Sequence, residues 1–186
     1  MSYITTASGK HFDPIHPKEE LLDQRDLAHA LSMICRGNGH TRIFYSVAQH
    51  SIACAREAEA RGYSKRLCLA CLLHDASEAY LSDVTRPIKK ELKRYLEVEE
   101  NLQEMIWGYY LGQKLSLKER AMVFEIDDAM LSLEFHQIMP EELGEAHQEL
   151  VRKITCQEEV PGKVEEEFIR LMDEYLEKNH KMVIFT

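Results

Sequence analysis

The chain has 186 residues, 45% hydrophobic and 30% charged, which suits a globular protein with a substantial core. Its 23 Lys and Arg stand against 32 Asp and Glu, a net charge of −9, which argues against gripping a nucleic-acid polymer over a wide face. No apolar run approaches the roughly 20 residues that span a bilayer, and "MSYITTASGK" at the N-terminus has no apolar signal core.

The opening "ITTASGKHFDPIHP" is rich in Thr, Ser, Gly and Pro and reads as a short extended arm or small hairpin over residues 1–17. From Pro17 the pattern turns helical: "PKEELLDQRDLAHALSMIC" repeats Leu22, Leu27, Ala30, Leu31 and Ile34 at helical spacings. After the loop "RGNGHTRIFY" comes "SVAQHSIACAREAEARG", with Ser46 as N-cap and Gly62 as stop. "SKRLCLACLLHDASEAYL", opened by Ser64, is predicted as one buried helix. In "SDVTRPIKKELKRYL" Pro87 fits only a first turn, so Asp83 or Thr85 caps a new helix there. "EVEENLQEMIWGYYLG", "SLKERAMVFEIDDAMLSLEFHQIM" and "PGKVEEEFIRLMDEYLEKNH" complete an all-α chain. With no repeats or convincing linkers, we expect one helical domain, its core over about 18–140 and C-terminal helices over 141–186.

The cysteines Cys35, Cys54, Cys68, Cys71 and Cys156 are odd in number and follow no secreted disulfide spacing. Three sit in apolar helical stretches, as small buried hydrophobes do, and a reducing cytoplasm is the expected location. Cys68-x-x-Cys71 lacks a second cysteine pair and reads as core rather than half a zinc site. The aromatic residues of "MIWGYYL" read as core or as a homodimer contact.

The apolar run before "LLHDASEAYLSD" raises a question of charge. Helical spacing puts Cys71, His74 and Glu78 on one stripe and turns Asp75 toward the next, while His50 shares a face with Val47, Ser51 and Cys54. Either histidine alone could be a satisfied core residue. In the doublet Asp127-Asp128, Asp127 has Val123, Phe124, Met130 and Leu131 three and four positions away, so it is the expected buried carboxylate; the alternative is that both are surface charges. A buried charge needs a partner. Together His50, His74, Asp75 and Asp127 supply two imidazoles and two carboxylates, a set suited to one divalent Mn, Co, Ni, Fe or Zn ion and too rich in nitrogen for a dedicated calcium site.

The order H…HD…D over helices resembles the HD-domain superfamily of metal-dependent phosphohydrolases, here as His50, His74-Asp75 and Asp127. "YSVAQHS", "HDASEAYLSDVTRPIK" and "SGKHFDP" further resemble its small bacterial and phage branch akin to 5′-deoxynucleotidases, over roughly residues 1–140. The resemblance implies an HD-type helical bundle that hydrolyses a small nucleotide, foremost a (deoxy)nucleoside 5′-monophosphate. A triphosphate or other small-phosphoester hydrolase is the alternative, as is a metal-binding regulatory module without turnover.

By the same resemblance Glu78 is the general acid and Asp75 a ligand at the catalytic centre. Asp83 lies near the bound nucleotide, unless it is a plain helix cap. The loop residues Arg36, His40 and Arg42 offer donors for a phosphate, with an ordinary solvated turn as the alternative. The branch would place an arginine at Ile43, and Arg42 stands one residue before it.

Overall fold

A computed structural model describes residues 3–139 and 149–183 of the chain. Its N-terminal arm is a hairpin of two short antiparallel strands, β1 (Ile4–Thr5) and β2 (His11–Phe12). The Asp26 carboxylate accepts hydrogen bonds from Ser8 N–H and Ser8 Oγ, both at 2.7 Å, and so ties the hairpin to the first helix. Phe12 at the hairpin's end is fully buried and stacks on Tyr80 with ring centroids 3.9 Å apart.

The helix expected from Pro17 is divided. Glu19–Leu21 form a single 3₁₀ turn, and α1 (Gln24–Met33) begins only where the Asp23 side chain accepts Arg25 N–H at 2.9 Å. A carboxylate cap satisfies an otherwise orphaned donor, which outweighs continuing the helix through Leu22 and Asp23. α2 (Val47–Ala60) starts at Ser46 with a reciprocal capping box to Gln49, as its sequence predicts, and Gly62 closes it at φ +75°.

The larger departure lies at "LLHDASEAYL". α3 (Lys65–Leu72), capped by Ser64, stops before His74, and α4 (Glu78–Leu81) resumes after a turn over residues 73–77. The local cause is a set of competing hydrogen bonds. His74 Nδ1 donates to the Cys71 carbonyl at 2.7 Å, within reach of the helix end. Gln103 bridges the turn, its Nε2 donating to Leu73 O at 2.7 Å and its Oε1 accepting Ser77 N–H at 3.1 Å. That clamp satisfies groups a continuous helix would have paired with itself.

α5 (Arg86–Lys89) follows with Thr85 at its N-cap and Pro87 in its first turn. α6 (Lys93–Leu111), α7 (Leu117–Ile138) and α8 (Pro161–Val183) are the long helices. Of the expected C-terminal helices α8 is the one among the described residues; 149–160 are non-helical, and 140–148 and 184–186 lie outside them.

α3 is the centre of the bundle. All six residues Leu67–Leu72 are buried, and the helix packs on α2, α6, α7 and α8. α8 also crosses α1 and contributes buried Phe168, Leu171, Met172 and Tyr175. Each large apolar side chain fully buried here is worth roughly 1.5–3 kcal/mol against exposure. The five cysteines are free thiols, and both Cys68 and Cys71 belong to this core. Trp107 is core as well, donating from Nε1 to Ala70 O at 3.2 Å. No helix among the described residues is long and apolar enough to cross a membrane.

Glu57 fastens the segment that follows residue 148. Its buried carboxylate accepts Val151 N–H at 2.9 Å, Arg152 N–H at 3.0 Å and Arg61 Nε at 2.8 Å. Although burial opposes ionisation, these donors hold the carboxyl below its ordinary 4.5. Glu57→Ala leaves two backbone amides unpaired and removes one of the Arg61 guanidinium's carboxylate partners, the other being Glu125 at 2.7 Å, so a loss of about 2 kcal/mol is expected in chemical denaturation. Because the folded-state value is the lower one, this contribution is complete at neutral pH and fades as the solution is acidified below the unfolded value. The gap between wild type and variant should therefore narrow in acid.

Candidate metal centre

The structure brings all four expected ligands together from three separate segments. His50 comes from the first turn of α2, His74 and Asp75 from the clamped turn after α3, and Asp127 from the middle of α7. His50 Nε2 lies 3.1 Å from His74 Nε2, 3.1 Å from Asp127 Oδ1 and 3.9 Å from Asp75 Oδ2. His74 Nε2 lies 3.2 Å from Asp75 Oδ2 and 3.6 Å from Asp127 Oδ1. Cys54 joins from the next turn of α2: the ligand atoms of His50, Cys54 and His74 lie within 4.8 Å of one another, all buried, and could hold a metal ion.

Tautomers decide what this arrangement wants. His74 Nδ1 faces a carbonyl, which only accepts, so that nitrogen carries a proton. His50 Nδ1 faces Glu134 Oε1 at 2.7 Å. Burial alone would neutralise Glu134, yet His50 and Arg36 hold its carboxyl below the ordinary range, so it accepts as a carboxylate. Were both rings neutral, two Nε2 lone pairs would point at each other and at two carboxylates, an arrangement that is repulsive unless a proton or a metal ion sits in it. Burial opposes charge on both rings, but Asp75 and Asp127 push His74 well above its ordinary value, and Glu134 and Asp127 raise His50 against Arg36. The donor set fits a divalent transition metal.

The choice within the doublet follows burial. The Asp127 side chain is 13% exposed and turns Oδ1 inward, whereas Asp128 is 52% exposed. Arg86 Nη2 bridges them, 3.1 Å from Asp127 Oδ2 and 3.0 Å from Asp128 Oδ1. Asp127→Asn should therefore lose most divalent-ion binding, while Asp128→Asn keeps most of it. Calorimetric titration of the two variants with one divalent ion decides the matter, and the reverse ranking would reject the assignment.

A cavity of about 700 Å³ opens over these ligands. Glu78 lines it, nearly fully buried, with Oε2 lacking a hydrogen-bond partner and Lys89 Nζ 3.7 Å from Oε1. Desolvation first, then Asp75 and Asp83, push its carboxyl well above the ordinary range against Arg36 and Lys89. A carboxyl whose pKa is raised by burial thus faces the cavity. Phe124, Leu131, Phe135, Ile138 and Met139 give it an apolar wall from the end of α7.

The expected phosphate donors divide. Arg36 and His40 line the cavity, but Arg36 is already engaged, Nη1 with Asp75 at 3.2 Å and Nε with Glu134 at 3.1 Å. Arg42 is exposed and does not line the cavity; its backbone N–H donates to Ile138 O at 2.7 Å. Ile43 explains this placement, since it packs against the small apolar cluster of Tyr45, Ile138 and Cys156 and turns the neighbouring side chain outward. Asp83 lines the cavity and, rather than capping α5, accepts Gly37 N–H at 2.9 Å. That bond pins a turn in which Gly37 and Asn38 both take positive φ.

Three contributors were missed from sequence. Glu134 lies seven residues after Asp127, two turns along α7, and that spacing was the available signal. Arg86 borders Asp127 through the bend at Pro87, and Gln103 acts from α6; neither carries a local signature.

No family model matches the chain. It is similar to the uncharacterized protein YfdR of Escherichia coli (strain K12), 40% identical over 112 residues, which are 59% of this chain and 59% of that protein. It is also similar to an uncharacterized protein of Rhodobacter capsulatus, 39% identical over 101 residues, 51% of each chain. The chain thus spans between half and three-fifths of the curated relatives it matches.

Proposed function

We propose that the protein is a metal-dependent phosphohydrolase of the HD type acting on a small nucleotide, foremost a (deoxy)nucleoside 5′-monophosphate. The observation that supports this most is the convergence of His50, His74, Asp75 and Asp127 beneath a cavity that the buried Glu78 also lines. When bound, a divalent ion supplies Lewis acidity to the phosphate and lowers the pKa of water.

The chain's own groups supply the rest. Glu78 is placed to give a proton to the departing oxygen, and its raised pKa favours the protonated form that this role requires. His40 lines the cavity as a candidate phosphate donor, while Arg36, engaged by Asp75 and Glu134, fixes those two carboxylates in place. Glu134 orients His50, and Gln103 holds the turn that carries His74 and Asp75. The aromatic and aliphatic wall from α7 suits the flat face of a base, and the volume suits a small ligand.

The test is a screen of the purified full chain against nucleoside 5′-monophosphates, triphosphates and p-nitrophenyl phosphate. Mn²⁺, Co²⁺, Ni²⁺, Fe²⁺ and Zn²⁺ would each be supplied, with released phosphate and triphosphate measured separately. Ion-dependent phosphate release from monophosphates is the expected result. Triphosphate release would move the substrate class. A metal-loaded protein that turns over nothing would replace this reading with a non-catalytic metal-binding module.

A further inference from the structure

We propose that Cys54 is itself a ligand of the metal centre, so that the site selects a thiophilic ion such as Zn²⁺, Co²⁺ or Fe²⁺ over Mn²⁺ and Mg²⁺. This rests on the reading above that the cluster holds a divalent metal.

Cys54 stands one turn beyond His50 on the same face of α2, and its Sγ lies 3.6 Å from His50 Nε2. Its sulfur and the ligand nitrogens of His50 and His74 all lie within 4.8 Å of one another. Tetrahedral ligation at the usual zinc–sulfur and zinc–nitrogen lengths would set sulfur and nitrogen about 3.5 Å apart, which matches the observed separation.

The sulfur's environment separates it from the other core thiols on the bundle axis. Cys68 Sγ reaches only the Tyr63 carbonyl, at 3.6 Å, as a weak donor inside the core does. Cys54 instead meets the one nitrogen of His50 that the Glu134 hydrogen bond leaves as a lone pair. That aim serves a weak S–H···N hydrogen bond in the metal-free protein and a metal–sulfur bond once an ion is bound. Soft thiolate donors favour zinc, iron and cobalt over manganese and magnesium, which prefer oxygen. On ligation the S–H bond breaks, its proton passes to solvent, and the sulfur lone pair forms the metal–sulfur bond with no change of oxidation state.

Co²⁺ reports on both the ion and the sulfur. The metal-stripped full chain is titrated anaerobically with Co²⁺ while visible d–d bands and the near-ultraviolet thiolate-to-cobalt charge-transfer band are recorded. Both are expected in the wild type, with complete loss of the near-ultraviolet band and retention of the visible bands in Cys54→Ser. Visible bands without the charge-transfer band in the wild type would overturn thiol ligation and leave the metal reading standing. A charge-transfer band that persists in Cys54→Ser would overturn it too, since another thiol would be responsible. Absence of any cobalt spectrum in the wild type would remove the metal reading and this proposal together. Should Cys54→Ser not fold, the wild-type spectrum alone still reports whether a cobalt–sulfur bond exists.

Discussion

His74→Ala and Asp75→Asn should each abolish divalent-ion binding and, with it, the proposed phosphoester hydrolysis. His74 brings an Nε2 lone pair that its Nδ1–H bond to Cys71 O keeps aimed at the site, and alanine leaves nothing in its place. Asp75→Asn keeps the shape but exchanges a carboxylate for an amide, the weaker donor to a hard or borderline cation. The cleanest readout is thermal unfolding with and without added ion. An ion present at 100 times its Kd stabilises the folded state by about 2.7 kcal/mol, equivalent to roughly 5–10 °C in Tm for a chain of this size. That increment is expected in the wild type and absent in both variants. Elemental analysis showing undiminished metal in both variants would show that these side chains are not ligands.

Glu78→Ala is expected to separate binding from chemistry. The variant should retain its ion, because Glu78 is not among the converging ligands, yet lose most of kcat. Loss of a general acid typically costs about 10²–10⁴-fold. The deficit should shrink on p-nitrophenyl phosphate, whose departing anion is already stable and needs no proton. Burial and the neighbouring Asp75 and Asp83 raise the pKa of this carboxyl, so if it is the acid a pH–rate profile should lose its alkaline limb in the variant. An equal loss on activated and unactivated esters, with metal retained, would instead assign Glu78 to orienting water or another ligand.

Sequence by itself determined the helices and much of the constellation. Apolar residues recurring every three or four positions define α2, α6, α7 and α8, and Ser46 and Ser64 cap their helices because a hydroxyl answers an orphan N–H locally. The same periodicity separated Asp127 from Asp128, since one turn of helix fixes which of two adjacent carboxylates faces the core. These are properties of neighbouring residues, and neighbouring residues are what a sequence displays.

Tertiary structure alone decided how the site is held. The break after α3 follows from Gln103, 26 residues beyond Ser77, which offers the turn hydrogen bonds that local propensity knows nothing of. Arg42 points away from the cavity because Ile43 is drawn into a small apolar cluster built by distant residues. Glu134 becomes the orienter of His50 across 84 positions of chain, and Arg36 is drawn to Asp75 and Glu134 before any phosphate could claim it. Each of these outcomes is a contest between hydrogen bonds and charges whose partners meet only when the helices pack, so their resolution depends on distance in space and leaves no periodic trace along the chain.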